Sequence, residues 1–79
     1  MYQPGDYVVV ADLPRRPLCR VAGADSARSR DGVFQILTLE PLEGPWRAWG
    51  TTLVRLDEAV QPAPARDLWR AHARPDRAA

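Results

Sequence analysis

The chain has 79 residues, of which 46% are hydrophobic and 27% are charged. These values are ordinary for one small globular domain, and they exclude a chain that is disordered throughout. Eleven basic residues nearly cancel ten acidic ones and leave a formal charge of +1, so the molecule as a whole attracts nucleic acid only weakly.

The inventory of metal-binding and membrane-spanning features is short. A single cysteine, Cys19, excludes an intramolecular disulfide and a cysteine cluster for metal, and one histidine excludes a histidine-rich metal site. No apolar stretch approaches the roughly 20 residues that a membrane helix needs. Residues 1–6 lack the pattern of a signal peptide. We therefore expect a cytoplasmic protein with no metal, no other cofactor and no membrane partner.

The first half of the chain alternates strand-forming segments with polar loops. The Pro-Gly-Asp turn at residues 4–6 leads into a valine-rich segment, residues 7–11, which predicts the first strand. Two prolines keep residues 12–17 in a loop. Alternating polarity predicts a second strand over residues 18–22, and the polar, glycine-flanked residues 23–32 predict a long mobile loop.

The second half predicts three more strands. Residues 33–40 have two partly apolar faces, which is typical of a strand in a closed barrel or under a covering helix. Residues 46–56 predict a long fourth strand, with Gly50 marking a bulge or a sharp bend. Residues 57–59 predict a short turn, where adjacent carboxylates usually face solvent. Residues 60–62 predict a last short strand that proline ends.

The composition changes after residue 62. This change divides the chain into a β domain, residues 1–62, and a tail rich in Pro, Ala and Arg, residues 63–79. Apolar residues recur at helical spacing from Ala65, which predicts a short helix over residues 65–74. So short a helix is unstable alone in water, so we expect it to dock on the barrel, to dock on a partner, or to fray.

Two segments carry a resemblance to a known fold. The opening residues 4–10 (Pro-Gly-Asp-Tyr-Val-Val-Val) and the closing residues 53–60 (Leu-Val-Arg-Leu-Asp-Glu-Ala-Val) resemble the SH3-like small barrel, in its Tudor- and KOW-like bacterial versions. The similarity covers about residues 2–62 and is one of pattern. It implies a mainly-β fold, a single five-stranded SH3-like barrel with a short C-terminal helix or disordered tail. By analogy it also implies a binding module.

Trp46, Arg47 and Trp49 form the most unusual cluster in the sequence. Tryptophan and arginine are enriched at the contact hot spots of protein interfaces. Because residues three apart in a strand face opposite sides, we expect one tryptophan in the core and one at the surface. The alternative is that both pack, one inside the barrel and one under the C-terminal helix.

Two further groups of residues are candidate contact sites. Four arginines fall in the two long predicted loops, where they would form a basic rim for phosphate or an acidic peptide: Arg15, Arg16, Arg28 and Arg30. The alternative is a solvated loop in which arginine serves solubility. In the tail, Leu68 and Trp69 are candidate anchors for docking a helix in a partner's groove, with capping of the chain's own barrel as the alternative.

Two arrangements would give more specific chemistry. Four aromatic rings would cage a methylated cation if they converged on one mouth: Tyr2, Tyr7, Phe34 and Trp46. Cys19 and His72 are the only residues that could pair as thiol nucleophile and base. No third group that would orient them is evident, so we interpret Cys19 as a small core residue and expect no enzymatic activity.

These features favour a small non-catalytic binding module, a protein–protein interaction domain or accessory subunit. The alternative is a nucleic-acid-binding small barrel, in which the loop arginines hold phosphates and an exposed Trp or Phe34 stacks on a base. A salt titration is expected to separate the two, because phosphate binding weakens steeply with salt. A thiol or hydrolytic enzyme acting through Cys19 is a third alternative. Exposed strand edges allow a homodimer as well as a monomer.

Overall fold

The structure is a computed structural model, which describes residues 1–72. In chain order the elements are β1 (Tyr7–Val10), β2 (Leu18–Ser29), β3 (Gly32–Pro41), α1 (Gly44–Ala48), β4 (Leu53–Leu56), a 3₁₀ turn (Asp57–Ala59), β5 (Val60–Pro62) and α2 (Ala65–His72). The five strands form one antiparallel sheet in the order β4-β3-β2-β1-β5. Strands hold more of the described residues than the helices do, which confirms the mainly-β prediction. Membership of the SH3-like barrels stays a prediction.

The core lies between the inward faces of the strands. Strand β1 is buried on both faces, and on β3 alternate residues point inward, as the sequence predicts. Burying one Val or Leu side chain stabilises the fold by roughly 1.5–3 kcal/mol relative to exposing it. The buried cluster comprises Val8, Val10, Cys19, Val21, Leu37, Leu39, Leu53 and Val60.

The predicted long loop over residues 23–32 is wrong. Strand β2 continues through this segment to Ser29 and pairs with β3 as far as Gly32, so only residues 30–31 form the turn. A register shift between Val21 and Gly23 marks a β-bulge, which lets the long strand bend. Small polar residues form strands poorly alone, but pairing with the strongly β-forming β3 overrides that local preference.

The far end of this hairpin extends beyond the rest of the sheet. Within residues 1–72, strand β4 pairs with β3 only from Ile36 onward, and β1 pairs with β2 only over residues 18–20. Residues 26–35 are therefore a two-stranded ribbon, which we call the hairpin arm.

The predicted fourth strand over residues 46–56 is also wrong in its first part. A short helix, α1, occupies this part, with Pro45 in its first turn, where proline is tolerated. Gly50 has a φ of +69° and follows the last helical turn, which is the usual position of a glycine that ends a helix. Gly50 therefore ends α1, although we expected it to bend a strand, and β4 is confined to Leu53–Leu56.

The remaining predictions for the second half are confirmed. The 3₁₀ turn and β5 match the predicted short turn and last strand. Helix α2 occupies Ala65–His72, and the last two residues of the predicted helix lie outside the described residues. No helix within residues 1–72 has the length and apolar character needed to cross a membrane.

Candidate functional site

The tryptophan cluster lies on and just after α1 rather than in a strand. Trp46 is half-buried and packs against the core. The Trp49 side chain is 78% exposed, and the backbone N–H of Trp49 donates to the carbonyl of Pro45 at 3.0 Å. One tryptophan thus packs against the core and the other lies at the surface, and a helix end rather than strand alternation separates them. Arg47 is exposed on the same helix.

The four predicted loop arginines are all exposed, but only two lie in a loop. Arg15 and Arg16 lie between β1 and β2, both with positive φ, and the Arg16 guanidinium donates to the side-chain oxygen of Gln61. Arg28 lies in β2, and Arg30 lies in the two-residue hairpin turn. The second loop of the predicted basic rim is therefore a strand end and a tight turn.

The two predicted anchors on α2 have different surroundings. Leu68 is half-buried and lines a cleft that the helix forms with the N-terminal segment. Trp69 is 69% exposed. Helix α2 begins with backbone hydrogen bonds from Asp67 and Leu68 to the carbonyl of Pro64, at 2.8 and 3.1 Å. Leu68 thus faces this chain, while Trp69 is available to a partner.

The cleft beside Leu68 is a wide, open concave site in the described residues. Its volume is about 800 Å³, and it opens between the N-terminal segment, the 3₁₀ turn and α2. Two tyrosines, Tyr2 and Tyr7, line it together with three carboxylates, those of Asp6, Asp57 and Glu58. We call this site the acidic cleft.

Gln35 fixes Tyr2 at the wall of the acidic cleft. Its Nε2 donates to the Tyr2 carbonyl at 2.9 Å, and its Oε1 accepts from the Tyr2 N–H at 2.8 Å. Gln35 is only 4% exposed, and this pair of bonds satisfies both ends of its buried amide. The Gln35 side chain thus makes the pair of hydrogen bonds that the backbone of a neighbouring strand would make, and it holds the N-terminal segment against the sheet.

The turn that follows Tyr2 is closed by further hydrogen bonds. The Asp6 N–H donates to the Gln3 carbonyl at 3.0 Å, and the Asp6 carboxylate accepts from the Gln3 N–H at 2.9 Å. Gly5, at a φ of +99°, donates to the Val21 carbonyl at 2.8 Å. These bonds place the carboxylate of Asp6 and the ring of Tyr7 along the same cleft.

The electrostatics of the acidic cleft favour positive charge. The pKa of the Tyr2 hydroxyl is raised, first because the ring is partly buried and then because Asp57 and Asp6 oppose a second negative charge. The lining residues that the structure describes include no arginine, and the one positively charged group among them is the amino terminus of Met1, a residue that is 84% exposed. A cationic group there would meet carboxylates and the faces of tyrosine rings, and both attract it.

The predicted four-ring cage does not form as a unit. Tyr2 and Tyr7 line the acidic cleft, whereas Phe34 lines a neighbouring cleft. Tyr2 and Trp46 both pack against the core, but Trp46 does not line the acidic cleft. In the sequence, Asp57 and Glu58 are typical of a solvated turn, and their position beside the two tyrosines is not predicted. The only sequence signals were an aromatic residue before the opening turn and a paired carboxylate in the later one.

Cys19 has the core position that the sequence predicts. Its side chain is fully buried, and burial raises the pKa of the thiol to about 11, with a further rise from nearby Glu43. At neutral pH the thiol is therefore protonated, which is the unreactive form of cysteine.

Comparison of the chain with protein-family models, with curated proteins and with solved structures found no match.

Proposed function

We propose that this protein is a non-catalytic protein-interaction module that binds a positively charged side chain of a partner protein in the acidic cleft. The observation that carries the proposal is the joint presence of two tyrosine rings, Tyr2 and Tyr7, and three carboxylates in one cleft of about 800 Å³. That volume lies within the range of roughly 300–1,000 Å³ that is usual for small-molecule pockets, so one side chain would fill only part of the cleft.

The chemistry of the cleft supports an organic cation. A guanidinium or ammonium group over a tyrosine ring gains about 0.5–2 kcal/mol, more when water is excluded. A charge-assisted hydrogen bond to a carboxylate contributes about 1.5–3 kcal/mol. Asp57 and Tyr2 are both half-buried, so a bound side chain would be partly shielded from water while its backbone remained on the partner.

Two exposed tryptophans support a protein partner. Trp49 and Trp69 are 78% and 69% exposed, and tryptophan is the residue type most enriched in interface hot spots. The same acidic cleft would repel the phosphates of a nucleic acid. The nucleic-acid alternative has to use the exposed arginines instead, so the two proposals depend on different residues.

The test is a titration of the ¹⁵N-labelled protein with a capped oligoarginine peptide, an oligoglutamate peptide of the same length, and a single-stranded oligonucleotide. We expect the oligoarginine to bind and to shift the amides around Tyr2 and the 3₁₀ turn. The double variant Asp57→Asn, Glu58→Gln should weaken that binding by roughly tenfold or more.

Two controls separate the cleft from general charge attraction. Asp25→Asn removes one exposed carboxylate of β2, away from the cleft, and should change the affinity by less than about twofold. Tyr2→Leu keeps an apolar side chain but removes the ring face, and should weaken binding. Equal effects of Asp25→Asn and of the double variant Asp57→Asn, Glu58→Gln on oligoarginine binding would contradict the proposal. Tighter binding of the oligonucleotide, lost on substitution of Arg28 and Arg30, would favour the alternative.

A further inference from the structure

A cleft of the opposite charge lies where the end of β3, helix α1 and the segment that leads into β4 meet. Its volume is about 610 Å³. Two arginines, Arg20 and Arg47, and one carboxylate, that of Glu40, line it, so the charge of its lining is +1. It shares no lining residue with the acidic cleft. We call this site the basic cleft.

Glu40 holds Arg20 in place at the sheet side of the basic cleft. Arg20 of β2 and Glu40 of β3 lie directly opposite each other, and residues in that relation share a face of the sheet. The Arg20 guanidinium donates to a carboxylate oxygen of Glu40, and both side chains are about half exposed. A guanidinium has several N–H donors in a rigid fork. The ion pair therefore orients Arg20 and leaves donors for a further acceptor.

Arg47 reaches the basic cleft from the last turn of α1. Its side chain is exposed, and within residues 1–72 neither a carboxylate nor a carbonyl pairs with its guanidinium. Arginine binds phosphate and carboxylate through two parallel N–H donors, and such charge-assisted bonds are roughly twice as strong as neutral ones. Arg47 is therefore the cation of this cleft that is open to a ligand.

The turn after α1 supplies further donors. The carbonyl groups of residues 45–47 accept hydrogen bonds from the N–H groups of residues 49–51, at 2.9 to 3.0 Å, so these carbonyls are occupied within the turn. Thr51 and Thr52 line the basic cleft, and a threonine hydroxyl donates as well as accepts. An anion in the cleft would thus meet donors from the sheet, from the helix and from the turn.

We propose that the basic cleft binds a phosphate monoester group. Its terminal oxygens accept hydrogen bonds from Arg47, from the open donors of Arg20 and from a threonine hydroxyl. Phosphate suits the cleft better than a carboxylate, because it carries a charge of about −1.5 to −2 at neutral pH and has three strong acceptor oxygens for donors on three sides. This inference goes beyond the proposed function and does not depend on it.

The experiment titrates the ¹⁵N-labelled protein at about pH 8, where a phosphate monoester is a dianion. The probes are a capped peptide with one phosphoserine, the same peptide with glutamate instead, inorganic phosphate, and a single-stranded oligonucleotide. We expect the phosphopeptide to give saturable shifts in the amides of residues 47–52. Arg47→Gln should weaken this binding by about fivefold or more. Glu40→Gln should strengthen it by about two- to fivefold, because it removes an opposing charge and frees Arg20.

Two control variants make the same charge changes outside the basic cleft. Arg66→Gln removes an exposed arginine of α2, and Asp25→Asn removes an exposed carboxylate of β2. Each should change the affinity for the phosphopeptide by less than about twofold. All four substituted side chains are exposed, and thermal unfolding will confirm that each variant folds. Equal effects of Arg47→Gln and Arg66→Gln would overturn the inference, because the phosphate would then respond only to the overall charge.

The other probes identify the source of the phosphate group. Tighter binding of the phosphopeptide than of inorganic phosphate supports the site and assigns a phosphorylated side chain, whereas equal binding supports the site and assigns a free phosphate compound. A glutamate peptide that binds as tightly as the phosphopeptide, an oligonucleotide that binds the cleft more tightly, or the lack of any saturable shift would each overturn the inference. The oligoarginine titration measures the acidic cleft separately, so either proposal can fail while the other stands.

Discussion

Replacement of Gln35 by methionine tests how the acidic cleft is built. Methionine keeps the length and flexibility of glutamine but has no strong donor or acceptor. The substitution therefore removes the two hydrogen bonds to the Tyr2 backbone, at 2.8 and 2.9 Å, with little change in packed volume. It separates the polar function of this buried side chain from its space-filling function.

The expected loss follows from the bonding of Gln35. Each hydrogen bond has a net value of about 1 kcal/mol, and a buried backbone group left without a partner costs a further 1–3 kcal/mol or so. The N-terminal segment can detach and return its backbone groups to water, which limits that cost. We therefore expect the free energy of unfolding to fall by about 1–3 kcal/mol, or by about 5–20 °C in melting temperature for a domain of this size.

Urea unfolding followed by circular dichroism measures the loss, and hydrogen exchange at the Tyr2 amide shows whether the segment has detached. Gln3→Met is the control, since Gln3 is exposed in the same segment and the hydrogen bonds of its backbone remain. If Gln35→Met unfolds within about 0.5 kcal/mol of the wild type and the Tyr2 amide stays protected, Gln35 does not hold the segment.

Two further predictions concern the fold. Gly50→Ala should destabilise the protein by about 1 kcal/mol, because Gly50 has a φ of +69° and an alanine there would strain the backbone, although its Cβ has space. Gly23→Ala should be nearly neutral, because its Cβ would meet Thr38 at an ordinary 3.7 Å, and urea unfolding compares the two variants. The free energy of unfolding should also fall as pH rises from 9 toward 11, because the unfolded Cys19 thiol ionises near 9 and the folded one only at about 11. Cys19→Ala should lose this part of the pH dependence, and an identical slope in that variant would contradict the assignment.

The strands that the sequence predicts well are those with local signals. The valine run at Tyr7–Val10 and the alternation within Gly32–Pro41 identify two strands without knowledge of their partners. Residues 23–29 carry no such signal, because their strand depends on pairing with β3. For α1 a local signal exists, a proline at 45 and a glycine at 50, but the strand preference of Trp and Thr concealed it.

The candidate site was less predictable than the fold because its parts are distant in sequence. Tyr2 and Asp57 line one cleft only because Gln35 holds the first segment and because β1 pairs with β5 directly after the 3₁₀ turn. Neither contact has a local sequence pattern. The arginines and tryptophans were conspicuous by residue type, whereas the tyrosines and carboxylates become informative only when they are brought together.

Because of the acidic cleft, an experiment other than a salt titration is needed to distinguish a protein partner from a nucleic acid. The formal charge of +1 conceals a local concentration of negative charge, because three of the ten acidic residues line the acidic cleft: Asp6, Asp57 and Glu58. A cationic side chain in the acidic cleft would be held partly by charge, and salt would weaken its binding as it weakens binding to phosphate. The sequence led us to expect that salt sensitivity would separate the two kinds of partner. Because of the acidic cleft, salt sensitivity alone does not separate them. The charge of the probe does separate them. Asp57→Asn should weaken the binding of a cationic peptide, whereas any change in the binding of an anionic probe should be an increase.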